Sequence, residues 1–197
     1  MKTAVAGKKT KMMALVSVRE FHEIEQALAG FQKTLPVGEV CQIANVNSAT
    51  QLVLSGTDAG VQYGMEFLKA QKMVRKGIEL PVSAPFHSSL VQPASAVVRE
   101  ELQRSKLRAP AIPIIFNRTA REEHDPAVIA RLLEEQTVSP VLWHSSLLRA
   151  ASTFEATDFV ELGPGSVLAN LAAKELKGVR TLNLGTVSDL ESKKILL

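Results

Sequence analysis

Apolar positions over the first 80 residues switch between a strand period and a helix period. Residues 11–18 (KMMALVSV) form a short apolar run suited to a strand. Residues 20–29 place Phe21, Ile24 and Leu28 on one helical face, and Gly30 reads as the stop. Residues 40–46 are strand-like, the polar run 47–50 reads as a turn, and 51–55 return to extended chain, so the pair reads as a hairpin. Thr57 stands where it can cap a helix carrying Val61, Met65 and Leu68. Residues 73–80 close the series as another strand. The order βαββαβ is that of a split βαβ, ferredoxin-like unit.

Beyond residue 80 the pattern changes. Pro93 opens a helix with Ala94, Val97, Val98 and Leu102 on one face. Residues 112–116 (IPIIF) form an apolar run typical of a buried strand, with Pro113 at its start or on an edge. Asp125-Pro126 is a cap followed by proline at the first helical position, before a stripe of Val128, Ile129, Leu132 and Leu133. Ser139-Pro140 repeats that start signal ahead of Trp143, Leu147 and Leu148. A strand at 159–162, a Gly-Pro-Gly turn at 163–165, a helix at 166–176 and a strand at 179–184 complete the chain. Alternating strands and helices predict a mainly parallel sheet covered by helices.

Bulk properties narrow the classes. The 197 residues are 46% hydrophobic and 22% charged, enough to build a core, and no run approaches the ~20 apolar residues of a membrane span. The basic start at 1–11 does not read as a secretory signal. One cysteine, Cys41, excludes an internal disulfide framework and fits a reducing compartment. A net charge of +3 is too small for a nucleic-acid footprint. An RNA-binding reading of the βαββαβ unit fails for lack of Phe, Tyr or Trp in 40–46 and 51–55.

Four histidines, no metal-ligand spacing and a lone cysteine leave few chemical candidates. His87 stands where a strand gives way to a helix, a position at which α/β folds place functional groups. A capping or surface histidine is the favoured reading of the residue alone, and a general base the alternative. His22, His124 and His144 read as solvated, and Cys41 as a small core residue. The 163–165 turn reads as a tight connection rather than an anion site. Lys69, Lys72, Arg75 and Lys76 read as an ordinary solvated face, the alternative being a docking patch for an acidic carrier protein. No Gly-x-Ser-x-Gly elbow occurs anywhere.

Four segments, in order, resemble the malonyl-CoA:acyl carrier protein transacylases of fatty acid synthesis. They are 80–94 (LPVSAPFHSSLVQPA), 45–56 (NVNSATQLVLSG), 136–143 (QTVSPVLW) and 160–165 (VELGPG). The resemblance implies an α/β fold: a ferredoxin-like subdomain at 11–76, and at 77–197 the C-terminal part of an α/β-hydrolase-like domain. Residues 1–10 would be a remnant of that domain. It also implies that His87 activates a nucleophile, that the backbone carbonyl of Gln136 orients its imidazole, and that Asn47 and Gln51 lie near the acyl site. Phe86 is similar to the phenylalanine of malonyl-selective members. The implied reaction is ping-pong transfer of malonyl from malonyl-CoA, through a serine ester, to the carrier thiol. No cofactor is implied, and neither nucleic acid nor membrane is an expected partner.

The elbow serine, an oxyanion-hole loop and a carboxylate-gripping arginine precede the insert in that family. Residues 1–5 (MKTAV) resemble a segment that follows the arginine. Met1 is therefore expected to be an internal methionine, in a truncated gene model, a short isoform or a decayed copy. Residues 11–76 are expected to fold, and the remainder to aggregate alone. The competing reading is a non-catalytic module that binds the carrier protein or a full-length partner. The expected location is mitochondrial, with bacterial cytoplasm as the alternative.

Overall fold

The computed structural model describes Gly7 and residues 9–192. Most of the 1–10 remnant lies outside the described residues. The chain divides into two compact units, 1–146 and 147–197.

The first unit is built on a four-stranded antiparallel sheet in the order β2-β3-β1-β4. Its strands are β1 (Thr10–Ser17), β2 (Cys41–Ser48), β3 (Gln51–Thr57) and β4 (Val74–Glu79). Helices α1 (Phe21–Gln32) and α2 (Asp58–Ala70) complete the βαββαβ series, with α1 between β1 and β2 and α2 between β3 and β4. The period-2 pattern sorts the side chains. Met13, Leu15, Cys41, Ile43, Leu52 and Leu54 face the helices and pack with Ile24, Leu28, Val61 and Leu68. Met12, Ala44 and Val53 turn to the opposite face, where Leu80 and Phe86 cover them. Each fully buried Leu or Ile contributes roughly 1.5–3 kcal/mol.

Thr57 caps α2 as expected, its side chain accepting from the Gly60 N–H. Glu39 adds a second acceptor, since its Oε2 also takes the Gly60 N–H, at 3.0 Å. Two expectations shift. Helix α1 runs through Gly30 to Gln32, because Phe31 packs against the core and its ring stacks on Phe67 at 4.5 Å. Asn47 and Ser48 belong to β2, leaving Ala49 and Thr50 as a two-residue turn.

After β4 the chain crosses the second sheet face, passes a 3-10 turn (Ser89–Val91) and enters α3 (Gln92–Arg104). Val97 is 60% exposed there, and Ser95 is buried instead. Ser95 Oγ donates to Glu134 Oε1 of α4 (Pro126–Gln136) at 3.3 Å. Asp125 caps α4 by accepting the Ala127 and Val128 N–H groups, and Ile129 and Leu132 are its buried stripe, while Leu133 is exposed.

The buried strand expected at 112–116 is not found. Ile112 is 73% exposed, and only β5 (Ile115–Phe116) is extended, paired antiparallel with β6 (Arg121–Glu122). Nor does Ser139-Pro140 start a helix. Val141 bridges to Asn45 in parallel fashion at the edge of β2, and α5 (Trp143–Phe154) begins after it.

In the second unit β7 (Asp158–Leu162) and β8 (Arg180–Leu184) pair in parallel, with α6 (Val167–Glu175) between them in sequence and α7 (Val187–Ser192) after them. This pair is the one parallel ladder among the described strands. Gly163 and Gly165 have φ of +125° and +92°, which glycine adopts without strain. Glu161 accepts the Leu168 and Ala169 N–H groups at 3.2 and 2.8 Å. The start of α6 thus already holds a carboxylate, as the reading of 163–165 as a connection requires.

Candidate active site

His87 reaches its place through packing that precedes it. The Leu80 N–H bonds the Met12 carbonyl at 2.9 Å, which directs the chain off β4 and over the second sheet face. Phe86 then packs on the cluster of Met12, Ala44 and Val53. The following residue turns sharply: His87 has φ of +58°, a left-handed conformation that a residue with a Cβ holds only when its surroundings impose it. Ser88 is fully buried and its Oγ donates to the Pro85 carbonyl at 2.7 Å, closing the turn.

The strained turn aims the imidazole at the end of α4. His87 Nδ1 lies 2.9 Å from the Gln136 backbone carbonyl oxygen. A carbonyl oxygen only accepts, so Nδ1 carries the proton and Nε2 keeps the lone pair of a base. Gln136 itself stands in the last turn of α4, where helix carbonyls lack helical partners. The carbonyl is available for that reason.

The other expected site residues are less tightly gathered. Phe86 adjoins His87 and is half-buried against the sheet. Asn47 and Gln51 flank the β2–β3 turn, both half-buried, and neither lines the cavity beside His87. That cavity, of about 230 Å³, is bounded by Gln32, Gln42, Ile43, His87, Val138 and Pro140, with Cys41 among its walls. Two residues were missed by sequence reasoning. Gln42 accepts the Ser89 N–H at 2.7 Å, and Ser88 closes the turn. A polar residue alternating with buried Cys41 and Ile43 was the available signal for Gln42.

Cys41 is 2% exposed, and burial pushes its thiol up to about 12. It supplies no nucleophile at neutral pH. Its alkylation at pH 8 is expected to run roughly 1,000-fold slower than that of a free thiol, and to reach the free-thiol rate only with unfolding; timed iodoacetamide labelling with intact-mass readout checks this. His22 and His124 are exposed, and His144 is half-buried. Lys69, Lys72, Arg75 and Lys76 are all exposed. Among the described residues no three His, Cys, Asp or Glu side chains converge to hold a metal ion.

This arrangement can take and return a proton at Nε2. The sequence model of the family described as "Acyl transferase domain" matches residues 4–196. The malonyl CoA-acyl carrier protein transacylase of Bacillus subtilis (strain 168) is 35% identical over 160 residues, 81% of this chain and 49% of that protein. The enzyme of the same name from Synechocystis is 28% identical over 92% of this chain and 58% of its own length. Among solved structures, an acyl carrier protein S-malonyltransferase from Vibrio cholerae superposes with a TM-score of 0.86 at 30% identity, covering 98% of this chain and 60% of that one. Its counterpart from Bartonella henselae gives 0.83 at 32%, covering 97% and 59%. The chain thus spans about half the length of the curated relatives it matches.

Proposed function

Because this chain belongs to the acyl transferase domain family, we propose that it forms the histidine-bearing part of an [acyl-carrier-protein] S-malonyltransferase. Its substrates would be malonyl-CoA and acyl carrier protein, which the names of the relatives state for those proteins, with the carrier's phosphopantetheine thiol as the acceptor that the resemblance implies. The observation that carries the reading is the 2.9 Å bond from His87 Nδ1 to the Gln136 carbonyl, which leaves Nε2 basic.

The proton accounting is as follows in each half-reaction. A serine hydroxyl attacks the malonyl thioester carbon while Nε2 of His87 takes its proton. The tetrahedral intermediate expels the coenzyme A thiolate, which recovers that proton from the imidazolium and leaves as the thiol. The carrier thiol then gives its proton to Nε2 and attacks the serine ester. Breaking the ester returns the proton to the serine oxygen. Gln136 keeps the imidazole in one tautomer.

The serine is not among these 197 residues, which hold no Gly-x-Ser-x-Gly. The reading therefore assigns the nucleophile to a segment supplied alongside them. Residues 11–76 would serve as the ferredoxin-like subdomain and 77–197 as part of the larger domain, with Asn47 and Gln51 near the acyl group. The relatives named above are bacterial, which supports bacterial cytoplasm over a mitochondrial location. Among the described residues no helix is long and apolar enough to cross a membrane.

The test is transfer of radiolabelled malonyl to carrier protein. This chain alone is expected to transfer none. Joined to the part of the Bacillus subtilis relative that it does not match, it is expected to turn over. Absence of transfer by an assembled, folded enzyme would overturn the proposal; a carrier-binding module predicts that absence.

Phe86 gives a specificity prediction. Its ring packs on Met12, Ala44 and Val53, one residue before His87, and on the acyl-transfer reading a methyl branch on the acyl group would need room there. Phe86→Ala is expected to raise methylmalonyl turnover relative to malonyl by about 10–200-fold, the usual worth of a methyl group in an apolar pocket. Competition kinetics between the two thioesters checks it; an unchanged ratio would remove Phe86 from the acyl site.

A further inference from the structure

Strand β2 holds both members of the imidazole–carbonyl pair by separate attachments. At its edge, the Val141 N–H bonds the Ala44 carbonyl at 2.8 Å and the Val46 N–H bonds the Val141 carbonyl at 2.9 Å. These bonds fix the segment leaving Gln136. On its second face, the Gln42 carboxamide oxygen accepts the Ser89 N–H at 2.7 Å, two residues past His87. Gln42 and Ala44 are two residues apart on β2, where Gln42 pairs with Ser55 of β3 and the register shifts past Ala44. Donor and acceptor of the 2.9 Å bond are therefore referenced to the same few ångströms of backbone.

The second attachment matters because the turn is strained. At φ of +58° His87 relaxes to a more favourable backbone conformation unless it is held. The Ser88–Pro85 bond closes the turn on itself and does not tie it to the sheet. Gln42 does so from 47 residues away in sequence. Opposite it in the β2–β3 register stands Ser55, which is fully buried. The bond that Gln42 makes from this paired position is itself exposed.

We infer that Gln42 is a positioning residue: its carboxamide, by anchoring the Ser89 N–H to β2, keeps the His87 imidazole on the Gln136 carbonyl and so in the tautomer whose Nε2 is basic. Its catalytic meaning rests on the acyl-transfer reading; its structural content does not. The experiment reads the tautomer directly, with no substrate present, from long-range proton–nitrogen spectra of the imidazoles in the nitrogen-15-labelled chain.

Neutral His87 is expected as the Nδ1–H tautomer alone. Gln42→Leu, which keeps bulk and loses the acceptor, is expected to produce a mixture containing the Nε2–H form, with His22, His124 and His144 unmoved. Gln42→Glu, whose carboxylate still accepts the Ser89 N–H, is expected to retain the single tautomer. A Gln42→Leu chain that keeps the single tautomer would overturn the inference. So would a joint shift of all four histidines, which would make Gln42 a support of the fold at large, or a Gln42→Glu chain that behaves like Gln42→Leu. An assembled enzyme that fails to transfer malonyl while these spectra come out as expected refutes the acyl-transfer reading alone.

Discussion

Replacing His87 with alanine is expected to lower kcat/KM for malonyl transfer by at least about 1,000-fold in an enzyme assembled with the part of a relative that this chain does not match. The loss belongs in kcat, because the imidazole carries a proton rather than substrate, so KM for malonyl-CoA is expected to move less than about threefold. Gln136→Ala supplies the contrast. The group facing His87 is the backbone carbonyl, 2.9 Å from Nδ1, which the substitution keeps. Its side chain makes a long contact of 3.4 Å to the Ser139 carbonyl. Activity is therefore expected to stay within about threefold of the unmodified enzyme. Steady-state kinetics of both variants checks the pair; a His87→Ala enzyme of near-normal kcat would remove the histidine from the chemistry.

The largest stability effect is expected at Gly56, at the end of β3. A Cβ there would overlap the Val40 carbonyl oxygen and lie 2.6 Å from the Val40 carbonyl carbon. Neither obstacle is a side chain that can rotate away. Thr57 donates its N–H to that same carbonyl at 3.0 Å, and Val40 donates its own N–H to Thr57 Oγ1 at 3.0 Å. Relief of the overlap breaks this joint between β2, β3 and the start of α2. Gly56→Ala is thus expected to destabilise the first unit by about 3 kcal/mol or more, the combined effect of overpacking and lost buried hydrogen bonds. Urea unfolding read through Cys41 alkylation measures it, since Cys41 is buried in the same core. A change below about 1 kcal/mol would mean the strand end can shift without loss.

The elements legible in sequence were those whose signals are local. The apolar run of β1, the extended segment of β3, the Thr57 and Asp125 caps, and the spacing of Val61 and Leu68 each lie within a few residues of the structure they specify. Gly30 misled because a helix stop and a tolerated helical glycine look alike until Phe31 is seen packing on the core. Residues 112–116 misled because an apolar run carries no information about what covers it, and here only Phe116 is buried. Ser139-Pro140 looked like a cap because the bridge that holds the next residue, Val141, to Asn45 spans nearly a hundred residues of sequence.

The site divides in the same way. His87 was singled out by its place between a strand and a helix, while its role and its partner Gln136 came from the resemblance, since the two are 49 residues apart. The left-handed turn at His87 and the Gln42 tether were invisible for a related reason. Both are tertiary facts, a backbone angle imposed by neighbours and a bond between segments that no local pattern connects.

The most direct measurement locates the acyl group itself. The part of a relative that this chain does not match is incubated with malonyl-CoA, with and without this chain, and digested for peptide mass spectrometry. The account expects malonyl on the elbow serine only when the chain carrying His87 is present, and none on any of the 197 residues. Malonyl esterified to a residue of this chain in the absence of that part would contradict it.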